Sequence, residues 1–322
     1  MKNKFKKEIF CTLGPSTLNK NFLKFTNKTI SLLRLNLSHV NINKLASTIL
    51  FIRKFSKTPI CIDTEGAQIR TRLKAKKIIK KNKIIVINKN KKDFHLYPSN
   101  VFDQLKSNDV LDIGFKDLKI KLLKKKFKKI YCKVINSGEL SNSQGVHLVN
   151  RKIKLDFITQ KDREAIKISK RLKIKNFALS FTNSYSDILK FNKLLKKENK
   201  IFKLETENAV KNLNKIIDSG KHFLIDRGDM SKETSVEMLP IIQRKILKIG
   251  RKKNKKIYVA TNFLESMIAN KYPTRGEAND IYNTLEQGAS GLVLAAETAI
   301  GKYPKESVNF ITKMIKIFQK NN

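Results

Sequence analysis

The sequence lacks a long apolar run and has few cysteines, and both features limit the classes of protein to which it can belong. No apolar stretch approaches the roughly 20 residues that a membrane-spanning helix requires, and the stretch after the basic N-terminus is too short for a secretory signal. The cysteines Cys11, Cys61 and Cys132 are scattered, odd in number and without metal-ligand spacing. They are interpreted as free buried thiols in a reducing compartment. We therefore expect a cytoplasmic protein with no membrane partner.

Acidic residues are also scarce, because 27 Asp and Glu stand against 69 Lys and Arg, a net charge of +42. Such an excess raises the hypothesis of a basic, RNA-associated protein. However, the sequence lacks zinc-finger spacing and any basic motif interleaved with aromatic residues, and its lysines scatter over nearly every predicted surface. Heavy use of Lys, Asn and Ile, as in an AT-rich genome, is the simpler explanation. We expect no specific nucleic-acid partner.

Short apolar runs that alternate with longer helical patterns predict an α/β fold. Continuous apolar strands of this kind form parallel sheets that are covered on both faces. Eight such units fit a closed (β/α)8 TIM barrel, and a doubly wound open sheet is the alternative, since periodicity does not show closure. The predicted strands are 8–13, 30–35, 59–64, 177–181, 201–205, 223–226, 257–261 and 291–295. The predicted helices are 161–172, 184–195, 209–217, 237–249, 281–287 and 305–317.

The alternation breaks once, between about Arg72 and Val149, where the pattern becomes strand-like, Lys-rich and punctuated by turns. This break predicts a small inserted β-barrel domain that could act as a lid over the functional end of the barrel. An insertion that serves only packing or solubility is the alternative. The expected organisation is 1–71 for the first part of the barrel, 72–150 for the inserted β lid domain and 151–322 for the second part.

Charged residues follow two predicted neighbouring strands. Lys203 and Glu205 end one strand and point the same way, since side chains alternate along a strand. Asp229 follows the next strand, and neighbouring strands lie only ~5 Å apart. Glu205 and Asp229 could therefore bind one hard divalent cation beside a lysine ammonium. Such a set of groups is typical of enzymes that act on phosphorylated substrates.

Other predicted strand ends also carry polar groups, as the C-terminal face of a barrel enzyme requires. A lone Arg or Asp in such a place more often forms a surface salt bridge, but agreement at six strand ends favours an active site. The further residues are Arg34, Asn36, Ser38, Asp63, Thr64, Thr261 and Glu297.

These segments, in this order and spacing, resemble the pyruvate kinase family from residue 8 almost to the C-terminus. The resemblance rests on long motifs that agree in sequence order. They are Cys11-Thr12-Leu13-Gly14-Pro15-Ser16, Arg34-Leu35-Asn36-Leu37-Ser38-His39, Asp63-Thr64-Glu65-Gly66-Ala67-Gln68-Ile69-Arg70-Thr71, Lys203-Leu204-Glu205, Arg227-Gly228-Asp229, Ala260-Thr261-Asn262-Phe263-Leu264-Glu265-Ser266-Met267, Pro273-Thr274-Arg275 and Glu297-Thr298-Ala299.

The resemblance implies transfer of phosphate from phosphoenolpyruvate to ADP, which yields pyruvate and ATP in the last step of glycolysis. It also implies a role for each matched residue. The implied catalytic residues are Lys203, Thr261 and Arg34, with Gly228 and Asp229 added for substrate binding. The implied metal ligands are Glu205 and Asp229 for Mg²⁺ or Mn²⁺, and Asn36, Ser38, Asp63 and Thr64 for K⁺. The implied nucleotide contacts are Arg70, His39 and Asn36.

Departures from the family pattern keep an alternative open, namely a catalytically impaired protein that binds phosphoenolpyruvate or a partner. Ser143 and Gln144 stand where the family has a Lys pair, so a lysine contact to ADP is expected to be missing. Gln68 leaves the K⁺ requirement open. Asp226 stands where Ala is usual, and we interpret it as an outward salt-bridge partner of Arg227 rather than an extra carboxylate beside the site.

The sequence ends soon after the last predicted helix, whereas family members typically continue into another α/β domain. That domain carries allosteric sites and a subunit interface. We therefore expect the C-terminal allosteric domain to be absent and any homo-oligomer to be altered.

Overall fold

The computed structural model describes residues 7–90, 93–114 and 117–321. They form two compact units, one of residues up to Gly66 and from Gln160 onward, the other Ala67–Thr159. The strands are β1 (Glu8–Thr12), β2 (Leu32–Asn36), β3 (Ile60–Asp63), β4 (Ile69–Arg72), β5 (Lys77–Ile79), β6 (Ile84–Asn88), β7 (His95–Tyr97), β8 (Val110–Ile113), β9 (Lys119–Lys126), β10 (Lys129–Asn136), β11 (Gly138–Leu140), β12 (Gly145–Leu148), β13 (Asn176–Leu179), β14 (Asn199–Leu204), β15 (His222–Asp226), β16 (Lys256–Ala260) and β17 (Gly291–Leu294). The helices are α1 (Lys20–Thr26), α2 (Leu45–Phe55), α3 (Val101–Gln104), α4 (Gln160–Arg171), α5 (Tyr185–Leu194), α6 (Glu207–Lys211), α7 (Leu213–Asp218), α8 (Arg227–Met230), α9 (Leu239–Lys252), α10 (Arg275–Glu286), α11 (Ala296–Ala299) and α12 (Pro304–Asn321).

The first unit is a closed barrel of parallel strands in the order β1-β17-β16-β15-β14-β13-β3-β2. Closure comes from β1, which pairs with β2 on one side and with β17 on the other, Glu8 lying opposite Gly291. The predicted (β/α)8 TIM barrel is confirmed, and the doubly wound open sheet is excluded by this pairing.

The alternation of side chains along β14 shows how the sequence positions polar groups inside the barrel. Ile201 belongs to the buried interior cluster, whereas Phe202 packs edge-on against Phe191 of α5, with 6.2 Å between ring centroids. Lys203 lies two residues after Ile201, and Glu205 lies two residues after Lys203. Both side chains therefore face the interior with Ile201. The apolar strand thus directs both charged groups to the barrel's C-terminal end.

Local sequence signals set several helix boundaries. The predicted helix 209–217 is two helices, α6 and α7. The predicted helix 281–287 lies within α10, which begins six residues earlier, at Arg275. There Thr274 and Glu277 form a reciprocal capping box that satisfies the first backbone N–H groups.

The second unit is a seven-stranded antiparallel sheet, in the order β6-β10-β9-β8-β12-β4-β7, with a separate pair, β11-β5. It has its own apolar core, and its end strands approach where Asn88 N donates to Phe94 O at 2.9 Å. The boundaries differ from the expected 72–150. Strand β4 pairs with β12 and β7, so the unit begins after Gly66. At its other end the unit extends to Thr159, and Arg151 forms an ion pair with Asp109 within it, at 2.6 Å.

Among the described residues, no helix is long and apolar enough to cross a bilayer. Cys11, Cys61 and Cys132 are free and buried, as predicted. Burial raises the pKa of the Cys11 and Cys132 thiols to about 12. Both thiols are therefore protonated, and hence poor nucleophiles, near neutral pH.

Candidate active site

The ammonium of Lys203 is the centre of the polar site at the C-terminal ends of the barrel strands. Its Nζ lies 2.6 Å from Glu205 Oε1, 3.3 Å from Asp226 Oδ2 and 3.4 Å from Asp63 Oδ2. It also donates to Ser180 Oγ at 3.2 Å. The Lys203 side chain is only 3% exposed. Residues from four neighbouring strand ends are thus collected around one buried cation.

The charge of Lys203 is fixed by these neighbours. Burial alone lowers the pKa of a lysine, but the carboxylates of Asp63, Glu205 and Asp226 outweigh that effect, and the pKa of Lys203 is raised overall. The side chain therefore carries a positive charge throughout the physiological pH range. It can stabilise negative charge on a bound group, but it cannot act as a base.

Arg34 places a second buried cation in the site. Its Nε donates to Asp63 Oδ2 at 2.8 Å, while its Nη1 is buried with no hydrogen-bond partner among the residues that the structure describes. The register of β2 and β3 sets Asn36 opposite Asp63, which fixes Arg34 on the same side. A buried guanidinium with donor capacity left over is suited to binding phosphate or carboxylate.

Glu205 is fully buried, and its carboxylate is held from two directions. Oε2 accepts from Phe181 N at 2.5 Å, and Oε1 faces Lys203. The pKa of Glu205 is raised to about 8, chiefly by burial and also by Asp229 and Asp226, although Lys203 acts to lower it. Neighbouring carboxylates that disfavour each other's charge form a site where a bound cation would restore ionisation.

Three carboxylates converge beside Lys203. Glu205, Asp226 and Asp229 each offer one oxygen, and these atoms all lie within 4.8 Å of one another. Oxygen-only donors at this spacing are the ligands that hard divalent cations prefer. The structure thus brings Glu205 and Asp229 together as the sequence suggested, and adds Asp226.

The expected pairing of Asp226 with Arg227 is wrong. Arg227 binds Asp280, with 2.8 Å between Nη1 and Oδ2, and its guanidinium lies 4.3 Å from the centre of the Phe263 ring. Asp226 is 4% exposed and faces Lys203. The reason is the alternation along β15, in which Leu224 belongs to the barrel interior and Asp226 shares its face.

Strained backbone surrounds the same strand ends. Thr261 has φ +72° and Asn262 has φ +58°, while Phe181, whose amide binds Glu205, has φ +52°. Positive φ is costly for a β-branched residue and is found mainly where function demands a set geometry. In Thr261 this conformation aims Oγ1 at Gly228 N, which donates to it at 2.8 Å.

The residues implied as K⁺ ligands lie at the ends of β2 and β3. Asn36 Oδ1 accepts from Ser38 N at 3.0 Å, and Thr64 Oγ1 accepts from Ser180 N at 3.0 Å. Asp63 is used on both oxygens, since Oδ2 binds Arg34 and Oδ1 accepts from Ser180 Oγ at 3.1 Å. The four residues thus follow two neighbouring strands, β2 and β3, at the same end of the barrel.

The residues implied as nucleotide contacts come from both units. Asn36 lies at the end of β2, and His39 is exposed three residues later in the same loop. Arg70 belongs to the other unit, where its Nη1 donates to Ser143 O at 3.1 Å. Gln144, next in the chain, uses its side chain within its own turn, accepting from Ser141 N at 2.7 Å.

Two buried polar residues of the site were not found by sequence reasoning. Ser180 bridges Lys203 and Asp63, and its only signal was its place at the end of a predicted strand. Asp162 in α4 accepts from Glu65 N at 2.7 Å and from Gly66 N at 3.1 Å, which holds the loop after β3. Nothing in the local sequence of α4 distinguishes Asp162 from a solvent-facing helix residue.

Comparison with known proteins gives a consistent result. Residues 4–308 match the family described as "Pyruvate kinase, barrel domain". The pyruvate kinase of Thermotoga maritima is 31% identical over 330 aligned residues, covering 97% of this chain and 71% of that protein. That of Staphylococcus epidermidis is 31% identical, covering 94% of this chain and 55% of that protein. The crystal structure of Cryptosporidium parvum pyruvate kinase superimposes with a TM-score of 0.90 at 25% identity, covering 98% of this chain and 70% of that one.

The match extends over nearly the whole sequence and includes both the barrel and the inserted unit. The chain itself spans only about half to seven tenths of the length of these relatives. The barrel topology, the polar strand ends and the family match agree with one another. This chain belongs to the pyruvate kinase family.

Proposed function

We propose that the protein transfers the phosphoryl group of phosphoenolpyruvate to ADP and so forms pyruvate and ATP. The observation that carries the proposal is the buried Lys203, placed among carboxylates at the C-terminal end of a barrel whose sequence matches pyruvate kinases. Phosphoryl transfer depends mainly on positioning and on fixed charges that match the transition state. The site offers side chains held in fixed positions and a fixed positive charge.

Arg34 is assigned to the phosphate. Its Nη1 is buried and has no hydrogen-bond partner in the described part of the chain, while its Nε is fixed on Asp63. An arginine held in this way is already oriented, so little side-chain entropy is lost when an anion binds. A phosphate oxygen would complete the donor capacity of the guanidinium.

Lys203 is assigned to the charge that develops during transfer. The pKa of Lys203 is raised by its carboxylate neighbours, so the ammonium does not lose its proton to the reaction. It acts as a fixed positive charge beside the transferring phosphoryl group and the enolate that forms as the phosphate leaves. In a site from which water is excluded, such a charge stabilises the transition state far more than it would in water.

Thr261 and the start of α8 are assigned to the carboxylate end of the substrate. Gly228 N, at the start of α8, donates a hydrogen bond to Thr261 Oγ1. The backbone at Gly228 and Asp229 would receive the substrate carboxylate. Thr261 would sit near the carbon that is protonated when the enol becomes a ketone.

Glu205 and Asp229 fit a bound Mg²⁺ or Mn²⁺, because one carboxylate oxygen of each lies within 4.8 Å of the other. Bound there, the cation would offset the negative charge of the phosphoryl group and the substrate carboxylate. Asn36, Ser38, Asp63 and Thr64 are proposed for K⁺ on their clustering and oxygen donors. The nucleotide contacts Arg70, His39 and Asn36 are proposed from the family resemblance.

The deciding experiment is ATP formation by the purified protein from phosphoenolpyruvate, ADP and Mg²⁺, with and without K⁺. Glu205→Gln is the matched variant, since it keeps the shape of the side chain and removes its charge. We expect turnover in the native protein and its loss in the variant. The comparison with and without K⁺ defines the monovalent requirement that Gln68 leaves open.

One observation favours a second candidate function, a protein that binds phosphoenolpyruvate without turning it over. Gln144 stands where the family has a lysine. Its side-chain Oε1 accepts a hydrogen bond from Ser141 N, and its Nε2 donates one to Glu139 O. A lysine contact to ADP is therefore not replaced by Gln144. Metal-dependent binding of phosphoenolpyruvate with no ATP formed would establish this second function and overturn the first.

A further inference from the structure

The carboxylate of Asp226 has no role in the function proposed above. It nevertheless lies between Lys203 and Thr261, which do have roles in that function. Its Oδ2 is 3.3 Å from Lys203 Nζ, and its Oδ1 is 3.4 Å from Thr261 Oγ1. Its side chain is 5% exposed. A carboxylate so deeply buried is costly unless it is paired with positive charge.

The site holds more carboxylates than buried cations. Four carboxylates lie around two buried cations, and Lys232, whose side chain is 31% exposed, also pairs with Asp229. If all four carboxylates are ionised, they outnumber the two buried cations, and a bound cation would balance them. The charges counted are Asp63, Glu205, Asp226 and Asp229 against Arg34 and Lys203.

A further atom points independently to a ligand in this place. Arg34 Nη1 is buried and makes no hydrogen bond within the described residues. An unsatisfied buried donor indicates that a bound anion completes the site. The oxygens of Asp226, Glu205 and Asp229 lie within 4.8 Å of one another, close enough to share the cation.

We propose that Asp226 is a third carboxylate of the divalent-cation site, which strengthens cation binding by the free protein. The proposal rests on the proposed function, because it assumes that Glu205 and Asp229 hold Mg²⁺ or Mn²⁺. Cation affinity at such sites rises with the number of charged ligands. The same charge should weaken binding of phosphoenolpyruvate until the cation is bound.

The test is titration of the substrate-free protein with Mn²⁺, in which the electron paramagnetic resonance signal of free Mn²⁺ reports binding. Asp226→Asn keeps the side-chain shape, and Asp226→Ala removes the oxygens altogether. We expect the dissociation constant to rise on the order of tenfold or more in Asp226→Asn, and further in Asp226→Ala. Asp280→Asn is the matched control, because Asp280 lies outside the cluster and pairs with Arg227. Its Mn²⁺ affinity should equal that of the native protein.

A second measurement follows binding of phosphoenolpyruvate without any divalent cation. We expect tighter binding to Asp226→Asn than to the native protein, because one repelling charge is gone. Thermal unfolding by circular dichroism checks that each variant is folded.

The outcomes separate the two proposals. If Glu205→Gln loses Mn²⁺ affinity and Asp226→Asn does not, the role of Asp226 is overturned while the proposed cation site stands. If neither substitution changes Mn²⁺ affinity, the cation is not bound at this cluster, and both proposals fail.

Discussion

Lys203 shows what one residue contributes when its charge is shared among several neighbours. Its ammonium contacts the carboxylates of Asp63, Glu205 and Asp226, so removing it leaves a group of buried negative charges unopposed. Breaking a buried ion pair from one side costs about 3–5 kcal/mol. In the proposed function, loss of the same charge would also remove stabilisation of the transition state. Catalysis and stability would then depend on the same atom.

Lys203→Met should reduce kcat for ATP formation by about 10²–10³-fold or more, as removal of a single transition-state donor does elsewhere. It should also lower the midpoint of urea unfolding. Steady-state kinetics and urea titration measure the two effects. Lys200→Met is the control on the same strand, because its Nζ donates to Leu195 O, away from the site. Unchanged ADP phosphorylation in Lys203→Met would remove Lys203 from the mechanism.

Burial of a single acid gives a prediction on pH. Glu297 in α11 is 2% exposed, and its Oε1 makes no hydrogen bond in the described part of the chain. Burial raises the pKa of Glu297 to about 7, helped by Glu265 and Glu277. In the unfolded chain a glutamate titrates near 4.3. Between these two values the folded state holds more protons, so the free energy of unfolding decreases as pH rises.

Glu297→Gln removes this contribution. Its stability relative to the native protein should increase from pH 4.5 to pH 7 by on the order of 2–3 kcal/mol, and then level off about one pH unit higher. Urea unfolding at a series of pH values measures this difference, from which any constant cost of the amide cancels. Exposed Glu286 of α10, changed in the same way, is the control. A flat difference between native and variant would show that Glu297 titrates normally.

At the scale of elements, the pairing that closes the barrel includes one very close backbone contact. Gly291 of β17 lies opposite Glu8 of β1 and Tyr258 of β16. A Cβ at position 291 would lie 2.3 Å from Glu8 O, a backbone atom that cannot move without disturbing the strand. Only glycine lets the strands approach this closely.

Gly291→Ala should therefore destabilise the protein by about 1–3 kcal/mol or more, the usual cost of overpacking. Thermal unfolding followed by circular dichroism gives the change. Gly276→Ala in α10 is the matched substitution, because a Cβ there meets only Thr274 Oγ1, at 3.9 Å. That variant should be as stable as the native protein or slightly more stable. Equal midpoints for both variants would show that the strands separate easily at Gly291.

For the whole molecule, the net charge of +42 makes polyanion binding a general property of the surface. Binding of this kind depends on release of counterions and weakens steeply with salt. We expect a fluorescent single-stranded RNA to bind at low salt and to be released near physiological ionic strength, whatever its sequence. Fluorescence anisotropy across a salt series measures this. Retained binding with a sequence preference would instead support the RNA-associated hypothesis.

Several features could be predicted from the sequence because they depend on local pattern. Continuous apolar runs place the barrel strands, and the two-residue period puts Lys203 and Glu205 on one face, whatever the rest of the chain does. Asp229 was predicted correctly to approach Glu205 because consecutive strands of an α/β unit are commonly neighbours. The motifs also sufficed to indicate the family before any geometry was known.

Other features were decided only by the tertiary structure. Closure of the barrel required β1 to meet β17, at opposite ends of the chain, and no local pattern records that pairing. Asp226 was predicted to face outward, since a charge beside Arg227 resembles a surface pair. The register of β15 instead buries it against Lys203, and Arg227 binds Asp280, 53 residues further along the chain. Local periodicity follows from backbone geometry, whereas the partner of a buried charge depends on which distant groups the fold brings within a few ångströms.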